Sequence, residues 1–381
     1  MSAEVADTER AGPKLTKKLF AVWAVIGLIV SLAGSTAAHE NTAEKPGEIS
    51  RSMTVEPAAI VTLCVASGTL LVRGWDKNEI HVRSLDAAHI EFRRVEKVKD
   101  TTKPAARVDV MVFDKATSVN PKLDCQALAS VEMDVPTGAT VQVQTRDGDI
   151  TIEGVAAAYA GSQNGDIEIE RVTKLVEAGS LGGSIYLKDS SGRVNLSSAS
   201  GGLEVANVHA VTDEDTFEVG TVSGDIQLNR VGHSKVTAKT VNGALSMTGP
   251  LAKSGNYGFT NMTGDVILSM PRDASFQLNA KVSEKRDIVS DFTLKYSSEA
   301  PLPPPAAKPG KPPAEAPPKA PEAKGGKALP RTGPVVAPIV VQKPAGVASP
   351  YALRRVTAIC GTGDATISIA SFGGTIRLKK I

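Results

Sequence analysis

Residues 162–172 read "SQNGDIEIERV": a polar turn, Asn164-Gly165-Asp166, followed at once by Ile167 and Ile169 with Glu168 between them. Alternation of period two places both isoleucines on one face of a short strand and the glutamate on the other. The phrase recurs as "RDGDITIEGV" at 146–155 and "VSGDIQLNRV" at 222–231, so what needs explaining is a repeat.

Aligning the octets that end on the turn glycine gives "VQVQTRDG", "AYAGSQNG", "VEAGSLGG", "VNLSSASG", "FEVGTVSG", "VTAKTVNG" and "YGFTNMTG". They end at Gly148, Gly165, Gly183, Gly201, Gly224, Gly243 and Gly264, steps of 17 to 23 residues. Each octet opens as a short alternating strand, and a second strand follows, as in Ile150/Ile152, Ile185/Leu187 and Ile226/Leu228. Two short strands and two turns cannot bury their apolar face alone, so successive units must stack with strands in register. The pattern predicts an all-β chain, a solenoid of short stacked strands. An up-and-down sandwich also fits regularly spaced strands, but it does not require the octet positions to be equivalent.

The fifth octet position holds Thr145, Ser162, Ser180, Ser198, Thr221, Thr240 and Asn261. Stacking predicts that these form a ladder of hydrogen-bonding side chains about 4.8 Å apart at one corner. The pairs Gly148-Asp149, Gly165-Asp166, Gly224-Asp225 and Gly264-Asp265 read as turns whose carboxylates accept amide hydrogen bonds. A metal-binding column would need an unbroken run of acids, and Ser184, Gly202 and Ala244 interrupt it. No metal or cofactor is expected.

Composition limits the functional classes. Aromatics are scarce at 4%, while 34 glycines and 23 prolines favour turn-rich β structure. A net charge of +2 with no concentrated basic face argues against a nucleic-acid partner. Cys64, Cys125 and Cys360 lie far apart, which leaves open one disulfide plus a free thiol or three inert thiols. Near the amino terminus, Lys14, Lys17 and Lys18 precede the uncharged run "LFAVWAVIGLIVSLAGSTAA" at 19–38, long enough to span a bilayer. It reads as a signal peptide or a membrane anchor that sends the rest of the chain across the cytoplasmic membrane.

The chain thus divides into a cytoplasmic stub (1–18), the signal peptide or anchor (19–38), a linker (39–53) and an N-terminal β region capping the stack (54–140). The repeats follow (141–296), then a Pro/Ala/Lys-rich insertion of disordered composition (297–350), and a C-terminal β segment completing the solenoid (351–381). The last segment contains a further octet, "ISIASFGG", and is expected to pack at the stack's end near residues 288–296. The pentapeptide "LPRTG" at 329–333 matches a sorting signal by letter, but no terminal hydrophobic stretch follows it.

Four stretches together resemble the bacterial "putative adhesin" family, domain of unknown function 4097, built from β-strand repeats. They are "SGTLLVRGWDKNEIHV" (67–82), "VPTGATVQVQTRDGDITIEGV" (135–155), "TGDVILSMPRDASFQLNA" (263–280) and "IVSDFTL" (288–294). The resemblance implies a right-handed β-helix-like fold at the bacterial envelope, with adhesion as a label. The proline-rich insertion departs from the family pattern.

A search for catalytic constellations finds none. Glu153, Glu168, Glu170 and Lys188 fall on outward positions of neighbouring coils and read as a solvated face, and the five histidines are scattered. The reading is a non-catalytic envelope protein on the periplasmic or extracellular side, anchored or secreted, that offers an adhesin-like or structural surface to anionic envelope polymers or glycans. The alternatives are a glycan-binding or glycan-processing β-helix enzyme, which requires a groove of clustered charged groups, and a self-assembling scaffold.

Overall fold

The computed structural model describes residues 48–84, 86–87, 89–95, 103–113, 125–283, 287–296 and 353–381. The hydrophobic run at 19–38, the insertion at 297–350 and the pentapeptide at 329–333 lie outside these residues. Among the described residues no helix is long and apolar enough to cross a membrane. All regular structure there is β.

Six strands come first: β1 (Ile49–Ser67), β2 (Leu70–Trp75), β3 (Glu79–Ser84), β4 (His89–Arg94), β5 (Ala105–Phe113) and β6 (Val131–Pro136). Seven consecutive two-strand coils follow. They are β7 (Thr140–Asp147) with β8 (Ile150–Glu153), β9 (Ala157–Ser162) with β10 (Ile167–Glu170), and β11 (Leu175–Ser180) with β12 (Ile185–Lys188). Next come β13 (Arg193–Ser198) with β14 (Leu203–His209), β15 (Thr216–Ser223) with β16 (Ile226–Gly232), β17 (Lys235–Asn242) with β18 (Leu245–Thr248), and β19 (Asn256–Thr263) with β20 (Val266–Met270). The chain closes with β21 (Phe276–Ser283), β22 (Ile288–Ser290), β23 (Lys295–Tyr296), β24 (Leu353–Cys360), β25 (Ala365–Ser371) and β26 (Ile376–Lys380).

The first strands of the coils pair in parallel to make one long face, and the second strands make the other. Register is the one the octets imply: Val176 opposes Ala158 and Val194, and Ile185 opposes Ile167 and Leu203. Inward positions are fully buried, and the two faces share one core. The fully buried aromatics, Phe217, Tyr257, Phe259 and Phe276, lie toward the carboxyl-terminal half.

The octet glycines answer to a close approach of backbones. A Cβ built on Gly183 would lie 2.0 Å from the Gly165 carbonyl oxygen, and one on Gly201 would lie 2.0 Å from that of Gly183. No side chain fits at either place without separating the coils.

The ends of the stack interlock. The segment from Ile60 in β1, with β2, forms a coil in register with β7 and β8, as in Val61↔Val141 and Leu70↔Ile150. On its other side it meets β5 and β6, also in parallel. The earliest coil in sequence is therefore second in space, so stacking begins before residue 140, inside the segment read as a cap. Its octet, "VTLCVASG", hides at 61–68. The antiparallel pairings β4–β5, β3–β6 and β1–β3 close this end.

The other end mirrors this. β25 and β26 do not sit on the outside of the stack but between β19–β20 and β21–β22. The outside is closed by β24, antiparallel to β21 and β23. Twice, then, the chain steps over a place that a terminal segment fills. Both steps use the same proline-led turn: "VPTGATVQV" with Ala139 N–H donating to Pro136 O (2.9 Å), and "MPRDASFQL" with Ala274 N–H donating to Pro271 O (3.0 Å).

Candidate functional site

The predicted corner residues lie in one column. Strand register joins Ser162 to Ser180, Ser198, Thr221, Thr240 and Asn261, and Ser371 extends the column by one coil. Ser371 donates to Gly374 of its own turn (3.2 Å), whereas the others donate to the turn-glycine carbonyl of the preceding coil: Ser162 to Gly148 (3.2 Å), Ser180 to Gly165 (3.2 Å), Ser198 to Gly183 (3.0 Å) and Thr221 to Gly201 (2.9 Å). Thr240 reaches Gly224 (3.0 Å) and Asn261 reaches Gly243 (2.8 Å). Thr145 sits beside Val65 of the inserted coil, and its hydroxyl has no partner. All these residues are buried, so the ladder bonds coil to coil and offers nothing to a ligand.

The turn aspartates are used in the same way. The carboxylate of Asp149 accepts from Asp166 N–H (3.0 Å), that of Asp166 from Ser184 N–H (2.8 Å), that of Asp225 from Ala244 N–H (2.7 Å) and that of Asp265 from Thr375 N–H (2.9 Å). The residue at the same place in the next coil supplies the donor each time. Among the described residues no three His, Cys, Asp or Glu side chains converge as a metal site would require.

The outward acids of the second-strand face form ion pairs. Lys188 Nζ lies 3.2 Å from Glu168 and 3.5 Å from Glu170, while Arg171 pairs with Glu153 and Glu170. The hydrogen bond to Glu168 holds the Lys188 pKa above its ordinary value. These charges pair with one another on a largely exposed sheet face.

A concave feature lies on the opposite face, at outward octet positions the sequence reading left aside. The fourth positions of successive coils are Gln144, Gly161, Gly179, Ser197, Gly220 and Lys239, brought side by side by the register. Four small residues make a trough floor, with Gln144 and Lys239 at its ends. Five inter-strand steps separate those two, about 24 Å. Beside the floor runs a taller row from the second positions: Gln142, Tyr159, Glu177, Asn195, Glu218 and Thr237. The resulting groove holds about 600 Å³. Its lining carries amides, hydroxyls and backbone, and its only charged side chains are Glu177, Glu218 and Lys239. A glycine in a strand reads as a weakness in propensity terms, so its signal is missed until stacking turns it into a surface.

Cys64, which also lines the groove, is disulfide-bonded to Cys125; Cys360 is free and buried, and burial raises its thiol pKa. Of the two cysteine arrangements the sequence left open, the structure has the disulfide. The bond ties the inserted coil to the segment leading into β6, the strand that covers it.

A family model described as Toastrack DUF4097 matches residues 97–299. Among solved structures, a "putative cell adhesion protein" from Clostridium sporogenes aligns at 9% identity over 88% of this chain and 100% of its own, with a TM-score of 0.21. A "putative adhesin" from Parabacteroides merdae aligns at 11% identity over 59% of this chain and 89% of its own (TM-score 0.29). A "putative adhesin" from Parabacteroides distasonis aligns at 11% identity over 59% and 90% (TM-score 0.24). No curated protein matches the chain.

Proposed function

Because the chain belongs to the Toastrack DUF4097 family, whose model matches more than half of it, we propose that it is a non-catalytic, adhesin-like envelope protein that holds a linear, uncharged glycan along the first-strand face. The observation that carries this reading is the glycine-floored groove. A ribbon-like polymer lies flat on backbone, while a row of amide, hydroxyl and carboxylate groups offers hydrogen bonds at each coil step. The step of about 4.8 Å is close to the length of one sugar unit in a β-linked chain. Two glutamates against one lysine disfavour a polyanion in the groove. The expectation that the basic insertion meets anionic envelope polymers is a separate one, tested by deleting residues 301–350 and measuring salt-sensitive binding.

Glu177 and Glu218 do not favour catalysis. Two coil steps, about 10 Å, separate them along the groove, on one wall, whereas a glycosidase pair flanks the bond it cleaves. The groups whose acidity the fold shifts most clearly, His233 and Tyr257 among them, lie away from the groove. The disulfide supports export, since such bonds persist in oxidising compartments.

Titration with soluble β-linked oligosaccharides tests the groove. Gly220→Gln would fill the floor without disturbing the fold, because a Cβ there meets nothing nearer than the Lys239 carbonyl oxygen at 3.7 Å. Oligosaccharide affinity is expected to fall at least about tenfold at unchanged Tm. Unchanged affinity in Gly220→Gln, or binding confined to polyanions and abolished by salt, overturns the reading.

A further inference from the structure

The coil made by β25 and β26 is last in sequence but enclosed in space. β25 pairs in parallel with β19 from Asn256↔Thr366 to Asn261↔Ser371, and with β21 from Phe276↔Ala365 to Val282↔Ser371. β26 likewise lies between β20 and β22. The chain passes this place by the Pro271–Ala274 turn and continues through β21 and β22 before the occupant appears. The two strand edges that flank this place, and the walls around Ile367, Ile369, Ile376 and Leu378, each at most 2% exposed, are thus supplied by residues earlier in the chain than the segment that fills it.

Three observations bear on where that segment can come from. It is joined to the rest by residues 297–352, 56 residues that reach about 180 Å at full extension, so length does not tie it to its own slot. Every contact it makes would be reproduced if two copies exchanged segments, leaving only the connection entropy to separate the two arrangements. And the mirror-image coil at the other end is covalently held to its covering segment by Cys64–Cys125, whereas Cys360 in β24 is free. We propose that the slot between β19–β20 and β21–β22 accepts residues 353–381 in trans, from a second copy of this chain, giving a reciprocal strand-exchanged dimer.

A cysteine pair across the slot's cover reports which copy supplies the segment. Asn279 opposes Thr357 in the β21–β24 pairing, and both are half-buried, off the core. After refolding Asn279→Cys/Thr357→Cys and oxidising it, an intramolecular bond runs at monomer size on a non-reducing gel and an exchanged pair runs at dimer size. The dimer-size share is expected to grow with refolding concentration and to dominate near the connection's effective concentration, on the order of 1 mM. Native mass spectrometry of co-refolded light and heavy isotope-labelled chains makes the same measurement without substitution and should show a mixed dimer. Monomer alone at every concentration in the mass spectra, or a dimer whose cross-link stays at monomer size, overturns the proposal.

Discussion

At each end of the stack a coil from a chain terminus sits one place in from the edge, beneath a coil that the chain builds elsewhere in sequence. The amino-terminal coil, β1–β2, lies under β5–β6 and is joined to that cover by Cys64–Cys125. The carboxyl-terminal coil, β25–β26, lies under β21–β22 with hydrogen bonds and packing alone. Both arrangements leave antiparallel strands on the outside, which blunts the open edge of a parallel stack and argues against end-to-end assembly. What differs is reversibility: one end is locked, and the other is held only by what it buries.

Breaking the lock is expected to have the largest effect. The bond spans a sequence separation of 61 residues, and opening a loop of that size costs about 4 kcal/mol in the chain-entropy model. Urea unfolding of Cys64→Ser/Cys125→Ser should show that loss, with hydrogen exchange rising first in β1, β2, β5 and β6. If exchange rises first in β24–β26, the locked end was never the stronger. Conversely, the oxidised Asn279→Cys/Thr357→Cys monomer should gain a similar amount and make the ends alike.

The regular middle gives smaller effects. Gly183→Ala puts a Cβ where the Gly165 carbonyl stands 2.0 Å away, so neighbouring coils must separate, at about 3 kcal/mol. A melt within 1 °C of wild type, about the error of the measurement, would mean that the glycine column is not closely packed. Ser198→Ala leaves the Gly183 carbonyl and the Gly201 amide without the hydroxyl that serves both, at 3.0 and 2.9 Å, and should cost about 1–2 kcal/mol.

The solenoid was legible in the sequence because its register is written at every coil: an inward pair, a hydroxyl and a glycine at fixed places. The inserted amino-terminal coil was not, because Val65 replaces the hydroxyl and β1 runs on for 19 residues through three pairings. The two steps over a coil were not legible either. "VPTG" and "MPRD" are ordinary turns locally, and the place they pass over is defined only when a distant segment fills it. The groove was hidden for a related reason, since Gly161, Gly179 and Gly220 become a floor only as neighbours in three dimensions.

His233, between β16 and β17, gives the middle of the stack a sensitivity to acid. The ring is fully buried against Phe217, with Nε2 2.8 Å from the Gly192 carbonyl oxygen and Nδ1 without a partner. Nε2–H therefore donates and the ring is neutral. Burial lowers its pKa from the ordinary 6.5; the Gly192 bond and Asp215 oppose this, and His209 adds to it. Since the unfolded chain takes up the proton first, stability is complete above pH 6.5 and falls as pH drops toward the depressed folded value. His233→Gln should flatten this part of the profile while leaving the remaining carboxylate titrations in place. Urea midpoints at about pH 7.5 and 5 then make the comparison, because acid should raise exchange in β14–β17 before it reaches the disulfide-locked end. An identical pH slope in wild type and His233→Gln would mean that the buried ring already accepts its proton in the fold.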